Sequence, residues 1–194
     1  MLAARKILYV ITGGIQATLA PVRAKWMLTV NPEIDIVIGV TPMALRFTTP
    51  TALSAFGRSS VVIDSWDDSL TPAHHVDLAT WPDGVIVHPM TFDYLGKLAG
   101  GLGSGPVMLS LQATTAPIVL CPGFPPGLWQ SPVTRENLRR VMLRPNVTVL
   151  PPVQGESAQS GETFVGAPVD FENAAAALAE SLATGEATDS DHAA

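Results

Sequence analysis

The sequence predicts an α/β protein built on one doubly wound parallel sheet, and three observations support this. Short, nearly continuous apolar runs such as KILYVI (residues 6–11) and DIVIGV (residues 35–40) are typical of strands covered on both faces. Segments with helical periodicity alternate with these runs, and polar turns rich in Gly and Pro follow them. The 194 residues can bury one sizeable core. We therefore expect a single-domain, Rossmann-like (flavodoxin-like) fold.

Apolar runs assign the strands along the chain. They cover residues 6–11, 35–40, 61–63, 84–88, 118–121 and 147–150. The pattern between and after them predicts helices over residues 15–29, 50–55, 94–99, 107–114 and 170–182, with a single helical turn at 74–78. A further helix begins after Ser131, which is a favourable N-cap, with Pro132 at the first helical position.

The pattern also predicts which parts are buried and which are loose. Leu19, Val22, Trp26 and Val30 recur at helical spacing and should form the apolar face of the first helix. The acidic segment 64–72 is predicted to be an excursion, and the Gly- and Ser-rich segment 154–166 to be mobile. We expect one functional domain over residues 1–182 and a disordered acidic tail over residues 183–194.

Charge and composition narrow the function classes. The formal net charge of −6 argues against nucleic acid, whose phosphates select clustered Lys and Arg. No apolar run reaches the roughly 18 residues of a membrane helix, and Gly13 and Gly14 interrupt the N-terminal run, which argues against a signal peptide. A single cysteine, Cys121, excludes a disulfide framework. We expect a cytoplasmic protein, and the low charged fraction of 14% favours subunit contacts.

The turns after the predicted strands are the candidate ligand site, because doubly wound sheets bind ligands at the carboxyl ends of their strands. The first turn, TGGI, allows close backbone approach and precedes a helix whose amides face an anion, as in a phosphate-binding loop. It is equally compatible with a tight turn that needs glycine. The second strand ends in Thr41 and Pro42 and lacks the acidic residue that holds a dinucleotide ribose. A mononucleotide such as FMN therefore fits better than NAD.

Three other positions carry reactive side chains, each with a plain structural alternative. His74, His75 and Asp77 make a poor metal site, because neighbouring side chains point apart and a third ligand is lacking, so a solvated histidine pair is favoured. Cys121, at a strand end, is either a nucleophile or, more commonly, a small buried hydrophobe. His88 closes a buried strand and is either a donor in a pocket or a core histidine.

The block HVDLATWPDGVIVHPMTFDYLGKLAGG (residues 75–101) resembles the central block of the homo-oligomeric flavin-containing cysteine decarboxylases. In that family it reads roughly H-I-x-L, A-D, an apolar strand, P-x-S-A-N-T, and a helix with K-x-A-x-G. The matching positions are His75, Val76, Leu78, Asp83, Pro89, Thr91, Lys97, Ala99 and Gly101. Downstream, PGFPPGLW and SPVT are similar to the family's P-x-M-N-x-x-M-W and N-P-x-T, and TGGI stands where the family has G-S-[IV].

Three departures from the family pattern bear on the substrate. Asp93 replaces the Asn of P-x-S-A-N-T, and Pro125 replaces the Asn of P-x-M-N, which the family associates with holding the substrate carboxylate. Proline has neither a side-chain donor nor a backbone N–H, so that contact cannot be made in the same way. Segment 154–166 lacks the second cysteine of phosphopantothenoylcysteine decarboxylases. The resemblance therefore favours the peptidyl-cysteine branch, which includes the epidermin-type enzymes.

That branch implies FMN-dependent oxidative decarboxylation of the C-terminal cysteine of a ribosomally synthesised precursor peptide, giving the enethiol of an aminovinyl-cysteine product. His75 would be the catalytic base, and no metal is expected. The residues expected to contact FMN are Gly13, Gly14, Ile15, Thr41, Met43, Thr91, Phe92, Asp93, Tyr94 and Gly123. The residues expected to contact the peptide are Phe124, Pro125 and Trp129.

The resemblance further implies a homotrimer or homododecamer with the flavin near a subunit boundary. Two other functions stay open. One is a phosphopantothenoylcysteine decarboxylase of coenzyme A biosynthesis, which would need substitutes for the missing Asn and Cys. The other is a non-catalytic flavin-binding partner protein, which the altered PGFPPG loop favours.

Overall fold

The computed structural model describes residues 6–55, 59–66, 74–157 and 160–190. The strands are β1 (Lys6–Ile11), β2 (Asp35–Val40), β3 (Ser59–Ile63), β4 (Gly84–Met90), β5 (Ile118–Pro122), β6 (Val147–Val149), β7 (Val153–Glu156) and β8 (Thr163–Ala167). The helices are α1 (Ala20–Val30), α2 (Pro50–Ser54), α3 (His74–Thr80), α4 (Phe92–Ala99), α5 (Pro106–Ala113), α6 (Pro132–Val141) and α7 (Phe171–Ser190). None of the helices in these ranges is long and apolar enough to span a bilayer.

The central sheet is doubly wound, as predicted. Its six strands lie in the order β3-β2-β1-β4-β5-β6, and every neighbouring pair is parallel. The winding direction reverses between β1 and β4, which is the point where doubly wound sheets open a ligand crevice at the carboxyl ends of their strands. Strand and helix alternation along the sequence was therefore sufficient to predict the architecture.

Side chains of β1 alternate between two hydrophobic cores. Ile7, Tyr9 and Ile11 are buried on the face covered by α1 and α7. Leu8 and Val10 are buried on the opposite face, against α4, α5 and α6. Burial on both faces explains why the strand reads as a continuous apolar run.

Hydrogen bonds hold the turns at the carboxyl ends of β1 and β4 together. The buried hydroxyl of Thr12 donates to the carbonyl oxygen of Pro89 at 2.8 Å and accepts from the backbone N–H of Thr91 at 2.8 Å. The backbone N–H of Gly123, after β5, donates to the carbonyl oxygen of Met90 at 2.8 Å. The edge of the sheet that carries the predicted ligand turns is thus a connected unit.

The predicted apolar face of the first helix was wrong. Leu19, Val22 and Val30 are 47%, 64% and 42% exposed, and only Trp26 of the predicted set packs against the core. The buried residues of α1 are Ala20, Ala24, Met27 and Leu28. Small alanine side chains let the helix approach the sheet closely, so the largest apolar side chains are not the ones that it buries.

The segment predicted to be mobile forms ordered structure instead. Residues 154–166 belong largely to an antiparallel hairpin of β7 and β8, although residues 158–159 lie outside the described chain. The hairpin is joined to the turn after β5, because the backbone N–H of Phe124 donates to the carbonyl oxygen of Gly166 at 2.8 Å. Its order comes from this distant partner, which local composition does not show.

Two other boundaries differ from those predicted. The last helix, α7, continues to Ser190, past its predicted end at residue 182, and residues 191–194 lie outside the described chain. The first residue of the predicted acidic excursion, Asp64, is buried rather than exposed. Residues 67–72 of that excursion also lie outside the described chain.

Candidate functional site

Two adjoining cavities open at the carboxyl edge of the sheet. The first, of about 530 Å³, is bounded by the turn after β1, the start of α4, the turn after β5 and the hairpin. The second, of about 550 Å³, lies between the turns after β1 and β2, residues 64–65 and α4. The two share Gly13, Thr91 and Asp93 as lining residues. Together they occupy the switch point where a ligand is expected.

Most of the residues expected to contact the cofactor or the peptide meet in these cavities. Those that line the first cavity are Gly13, Gly14, Ile15, Thr91, Phe92, Asp93, Gly123, Phe124 and Pro125. Those that the second cavity adds are Thr41, Met43 and Tyr94. Trp129 lines neither of these two cavities, but the centre of its ring lies 6.3 Å from that of Phe124.

The two glycines of TGGI differ in how much space a side chain would have at each position. A Cβ at Gly13 would lie 2.4 Å from Cγ and 2.6 Å from Cβ of Met43, so the close approach of the turn after β2 requires glycine there. A Cβ at Gly14 would have ordinary clearance, with Cγ of Pro89 nearest at 3.7 Å. The N–H of Gly14 is occupied by the carbonyl oxygen of Thr12 at 2.8 Å. Gly14 is therefore a weaker candidate for donating to an anion than the sequence indicated.

The second cavity is rich in polar groups. Its lining includes the hydroxyl-bearing residues Thr41, Ser65 and Ser104. The ammonium of Lys97 lies 2.7 Å from Oδ2 of Asp93, whose side chain is 72% exposed. Hydroxyls and an accessible cation are the donors that phosphate and sugar-like groups select.

Asp64 is a buried carboxylate that the sequence analysis did not single out. Its Oδ1 accepts from the backbone N–H groups of Val107 and Met108 at 3.0 and 3.1 Å, and its Oδ2 accepts from the Tyr94 hydroxyl at 3.1 Å. Burial raises the pKa of the carboxyl above its usual value, while these hydrogen bonds act in the opposite direction. Asp64 thus joins the end of β3 to α4 and α5 beneath the second cavity.

His75 lies on α3 and lines neither cavity of its own chain. Its half-buried ring packs edge-on against Trp66, with ring centres 5.6 Å apart and planes at 73°. The indole N–H of Trp66 in turn donates to the carbonyl oxygen of Gly103 at 2.9 Å. The structure therefore holds His75 in a defined position, but one chain alone does not bring it to the predicted cofactor residues.

The core alternatives fit the two remaining candidates. His88 is fully buried, with Nε2 2.7 Å from the carbonyl oxygen of Val169, so Nε2 carries the proton. Burial lowers the pKa of His88 to about 4, and burial raises the pKa of the Cys121 thiol to about 12. Within the described ranges, no group of three or more His, Cys, Asp or Glu side chains is arranged to hold a metal ion.

Sequence reasoning missed several residues of the first cavity. Gln16 follows TGGI directly and was overlooked because the family pattern stops one residue earlier. The hairpin residues were overlooked because the segment was predicted to be mobile. The additional hairpin and turn residues in the lining are Glu156, Ser157, Phe164, Gly166, Ala167 and Pro168. Local sequence could not predict these residues, because the hairpin is held in place by a contact with a distant part of the chain.

Comparison with known proteins gives matches along almost the whole chain. Residues 1–181 match the model of the family described as Flavoprotein. A cypemycin cysteine dehydrogenase (decarboxylating) from Streptomyces sp is 34% identical over 79% of this chain and 80% of its own length. The chain spans only 34% of the bifunctional coenzyme A biosynthesis protein CoaBC of Bacillus subtilis, to which it is 28% identical.

Solved structures of cysteine decarboxylases are also similar to this chain. The cypemycin decarboxylase CypD superposes with a TM-score of 0.79 at 29% identity, covering 95% of this chain and 97% of CypD. TvaF, an FMN-dependent cysteine decarboxylase from thioviridamide biosynthesis, superposes with a TM-score of 0.75 at 26% identity, covering 92% and 98%. On the family match and the two-cavity crevice at the switch point, this chain belongs to the Flavoprotein family.

Proposed function

We propose that this chain is an FMN-dependent peptidyl-cysteine decarboxylase, which converts the C-terminal cysteine of a ribosomally synthesised precursor peptide into an enethiol. The pair of adjoining cavities at the switch point carries the proposal. One cavity is polar and the other is bounded by aromatic and proline residues, so together they suit an amphipathic cofactor beside a peptide end. The 34% identity to a decarboxylating cysteine dehydrogenase over most of both chains supports this reaction.

The residues of the second cavity fit the phosphate and ribityl parts of FMN. Thr41, Ser65 and Ser104 offer hydroxyl groups, and Lys97 offers a positive charge that is partly accessible. Gly13 keeps the two turns close enough to form one cradle. The similarity to an FMN-dependent decarboxylase supports FMN as the cofactor.

The first cavity suits the flat flavin ring and the reacting end of the peptide. Phe92 and Phe124 pack edge-on with ring centres 5.9 Å apart and both line this cavity. Asp93 lines both cavities and is a candidate acceptor for the imide N–H of the ring. When bound, FMN supplies the two-electron oxidation of the cysteine side chain.

The proposed chemistry follows from that oxidation. Conversion of the substrate CH₂–SH group to a thioaldehyde gives an electron sink next to the carbon that bears the carboxylate. Loss of carbon dioxide moves the electron pair of the broken C–C bond into the C=S group, and a proton taken up by sulfur gives the enethiol. The protein's part is to orient the peptide, with Phe124 and Pro125 in the cavity and Trp129 beside them.

The position of His75 supports an oligomer. A catalytic base must lie within hydrogen-bond reach of the proton that it removes, and His75 lines neither cavity of its own chain. It would therefore serve the cavity of a neighbouring copy, as in a homotrimer or homododecamer. Ile15, which lines the first cavity, and Leu19 and Val22, which follow it in the chain, are 57%, 47% and 64% exposed. Exposed apolar side chains of this kind suit a subunit contact.

Two substrates test the proposal against its nearest alternative, a phosphopantothenoylcysteine decarboxylase. The hairpin contains no cysteine in the sequence, and the single Cys121 is buried, so a reactive second thiol is absent from the chain. We expect the purified protein to be yellow and to convert a peptide ending in cysteine but not phosphopantothenoylcysteine, as followed by mass spectrometry. Conversion of phosphopantothenoylcysteine alone would reverse the assignment, and turnover of neither by a flavin-loaded protein would favour a non-catalytic partner.

A further inference from the structure

The first cavity has few groups that can hold a substrate carboxylate. Its described lining contains no Lys, Arg or His, and its two acidic residues, Asp93 and Glu156, would repel an anion. Pro125 has no N–H to offer. Gln16 provides the one side-chain amide among the described lining residues. A neutral N–H donor at this position is therefore the strongest candidate for contact with an anionic peptide end.

Arg23 fixes the orientation of that amide. Its two terminal nitrogens donate to the side-chain Oε1 of Gln16 at 2.7 Å and to the backbone carbonyl oxygen of Gln16 at 2.8 Å. A guanidinium group can only donate, so the amide atom facing it must be the oxygen. Nε2 of Gln16 then points its two N–H groups away from Arg23, and it donates to no acceptor in the described part of the protein.

The charge of Arg23 is not neutralised by a neighbouring acid. Among the described residues, its guanidinium makes no ion pair with a carboxylate. It lies 5.9 Å from the centre of the Phe171 ring, whose face attracts the cation. The guanidinium donates to the amide oxygen and polarises the amide group. This polarisation makes the N–H groups of the amide stronger hydrogen-bond donors.

We propose that Gln16, positioned by Arg23, donates to the C-terminal carboxylate of the substrate peptide. This inference rests on the proposed function and adds to it the group that recognises a free carboxyl end. The arrangement suits a carboxylate that must leave as carbon dioxide. A direct ion pair would stabilise the starting anion strongly and oppose the loss of its charge, whereas a neutral amide held by a more distant cation binds the anion with less opposition.

Two peptides that differ only at the carboxyl end test the proposal on the FMN-loaded protein. Both end in serine, which lacks the thiol to be oxidised, and one carries a free carboxylate and the other a carboxamide. We expect the wild-type protein to bind the free acid about tenfold more tightly, as a hydrogen bond to a charged group implies. Gln16→Ala should bring the ratio close to one, and Gln16→Glu should invert it, with FMN content unchanged. Gln154→Ala, an exposed glutamine of β7 outside the cavity lining, should keep the wild-type ratio.

Arg23→Lys tests separately whether Arg23 orients the amide of Gln16. Lysine keeps the charge but cannot donate to both oxygens of Gln16 in a planar fork, so the preference for the free acid should fall without loss of FMN. An unchanged ratio in Gln16→Ala overturns the inference, as does loss of FMN in that variant, which would assign Gln16 to the cofactor. A wild-type protein that converts the cysteine peptide yet binds acid and amide equally overturns the inference alone. A wild-type protein that prefers the acid but never converts the cysteine peptide overturns the proposed function alone.

Discussion

The backbone N–H of Phe124 donates to the carbonyl oxygen of Gly166 at 2.8 Å, and this bond joins the hairpin to the turn after β5. The contact is close because Gly166 has no side chain. A Cβ there would lie 2.4 Å from the carbonyl oxygen of Phe124 and 2.6 Å from the ring of Phe164. Both partners line the first cavity, so the same contact determines how the hairpin covers the proposed peptide site.

Gly166→Ala is expected to displace the hairpin and weaken peptide binding. Overpacking of this kind costs about 1–3 kcal/mol. A loss of the same size in peptide binding corresponds to a rise in KM of roughly 5- to 160-fold. Most of the FMN content should be retained, because the phosphate and ribityl parts of FMN are placed in the second cavity, which the hairpin does not line. Steady-state kinetics and flavin absorbance check both statements. Gly96→Ala is the matched control, since a Cβ there meets nothing closer than Nδ2 of Asn137 at 3.8 Å. An unchanged KM in Gly166→Ala would mean that the hairpin does not cover the peptide site.

The two glycines of TGGI should respond differently to alanine. Gly13→Ala drives a Cβ into the backbone-proximal atoms of Met43, so the turns after β1 and β2 must separate and FMN affinity should fall by about tenfold or more. Gly14→Ala has clearance of 3.7 Å to Pro89 and should keep the cofactor. Fluorescence titration of apoprotein with FMN measures both. Equal affinities in the two variants would show that the cradle does not depend on this close approach.

His75→Asn should abolish decarboxylation while leaving FMN bound, because the groups proposed to hold the phosphate and ribityl parts of FMN all lie outside α3. Loss of a general base typically lowers kcat by about 10²–10⁴-fold. The control Asp77→Asn changes an exposed residue of the same helix and should stay within about twofold of the wild type. Retained turnover in His75→Asn would refute its assignment as the base.

Mixed oligomers should recover activity if His75 serves a neighbouring copy. The variant His75→Asn is expected to be inactive for lack of the base, and Gly13→Ala to be weakly active because it holds FMN less tightly. Co-expressed, they should form sites that combine the intact cavity of one chain with the intact histidine of another. Light scattering should give an oligomeric mass. A monomer that binds FMN and turns over peptide would exclude a shared site.

His88 should make the fold sensitive to acid. Burial lowers its pKa from the usual 6.5 to about 4, so the unfolded chain binds the proton first as pH falls. The contribution of neutral His88 to the free energy of unfolding is therefore fully present above the unfolded-state pKa of 6.5. It is lost as pH falls through the folded-state pKa of about 4, and the total loss is about 3 kcal/mol. His88→Gln can still donate to Val169 without titrating, so urea unfolding should show a flatter pH dependence over this window. An unchanged dependence would mean that His88 does not titrate as its burial implies.

Comparing the wild type with His88→Gln also cancels the contribution of Asp64 to the pH dependence of stability, which has the opposite sign. The pKa of Asp64 is raised by burial, so the stability that it contributes is greatest below its unfolded value of 3.8 and falls as pH rises through its folded value. Both proteins retain Asp64. The difference between their unfolding free energies therefore reports His88 alone.

Patterns that depend on local sequence predicted the fold well. Strands such as β1 and β4 are buried on both faces, so each appears as a continuous apolar run. Thr91 and Tyr94 come shortly after β4 in the sequence and line the second cavity. Features that depend on distant partners were missed. The hairpin relies on Phe124, the role of Asp64 relies on amides of α5, and the buried face of α1 follows from how closely Ala20 and Ala24 approach the sheet.

The proposed reaction is an oxidation of the peptide by FMN, and an anaerobic single-turnover experiment tests this. The FMN-loaded protein is mixed with a peptide ending in cysteine, and the peptide mass and the oxidised-flavin absorbance are followed together. We expect a product lighter by carbon dioxide and two hydrogens, with one flavin reduced for each peptide converted. An unchanged peptide, or loss of carbon dioxide alone with the flavin still oxidised at the end, would contradict the proposed reaction.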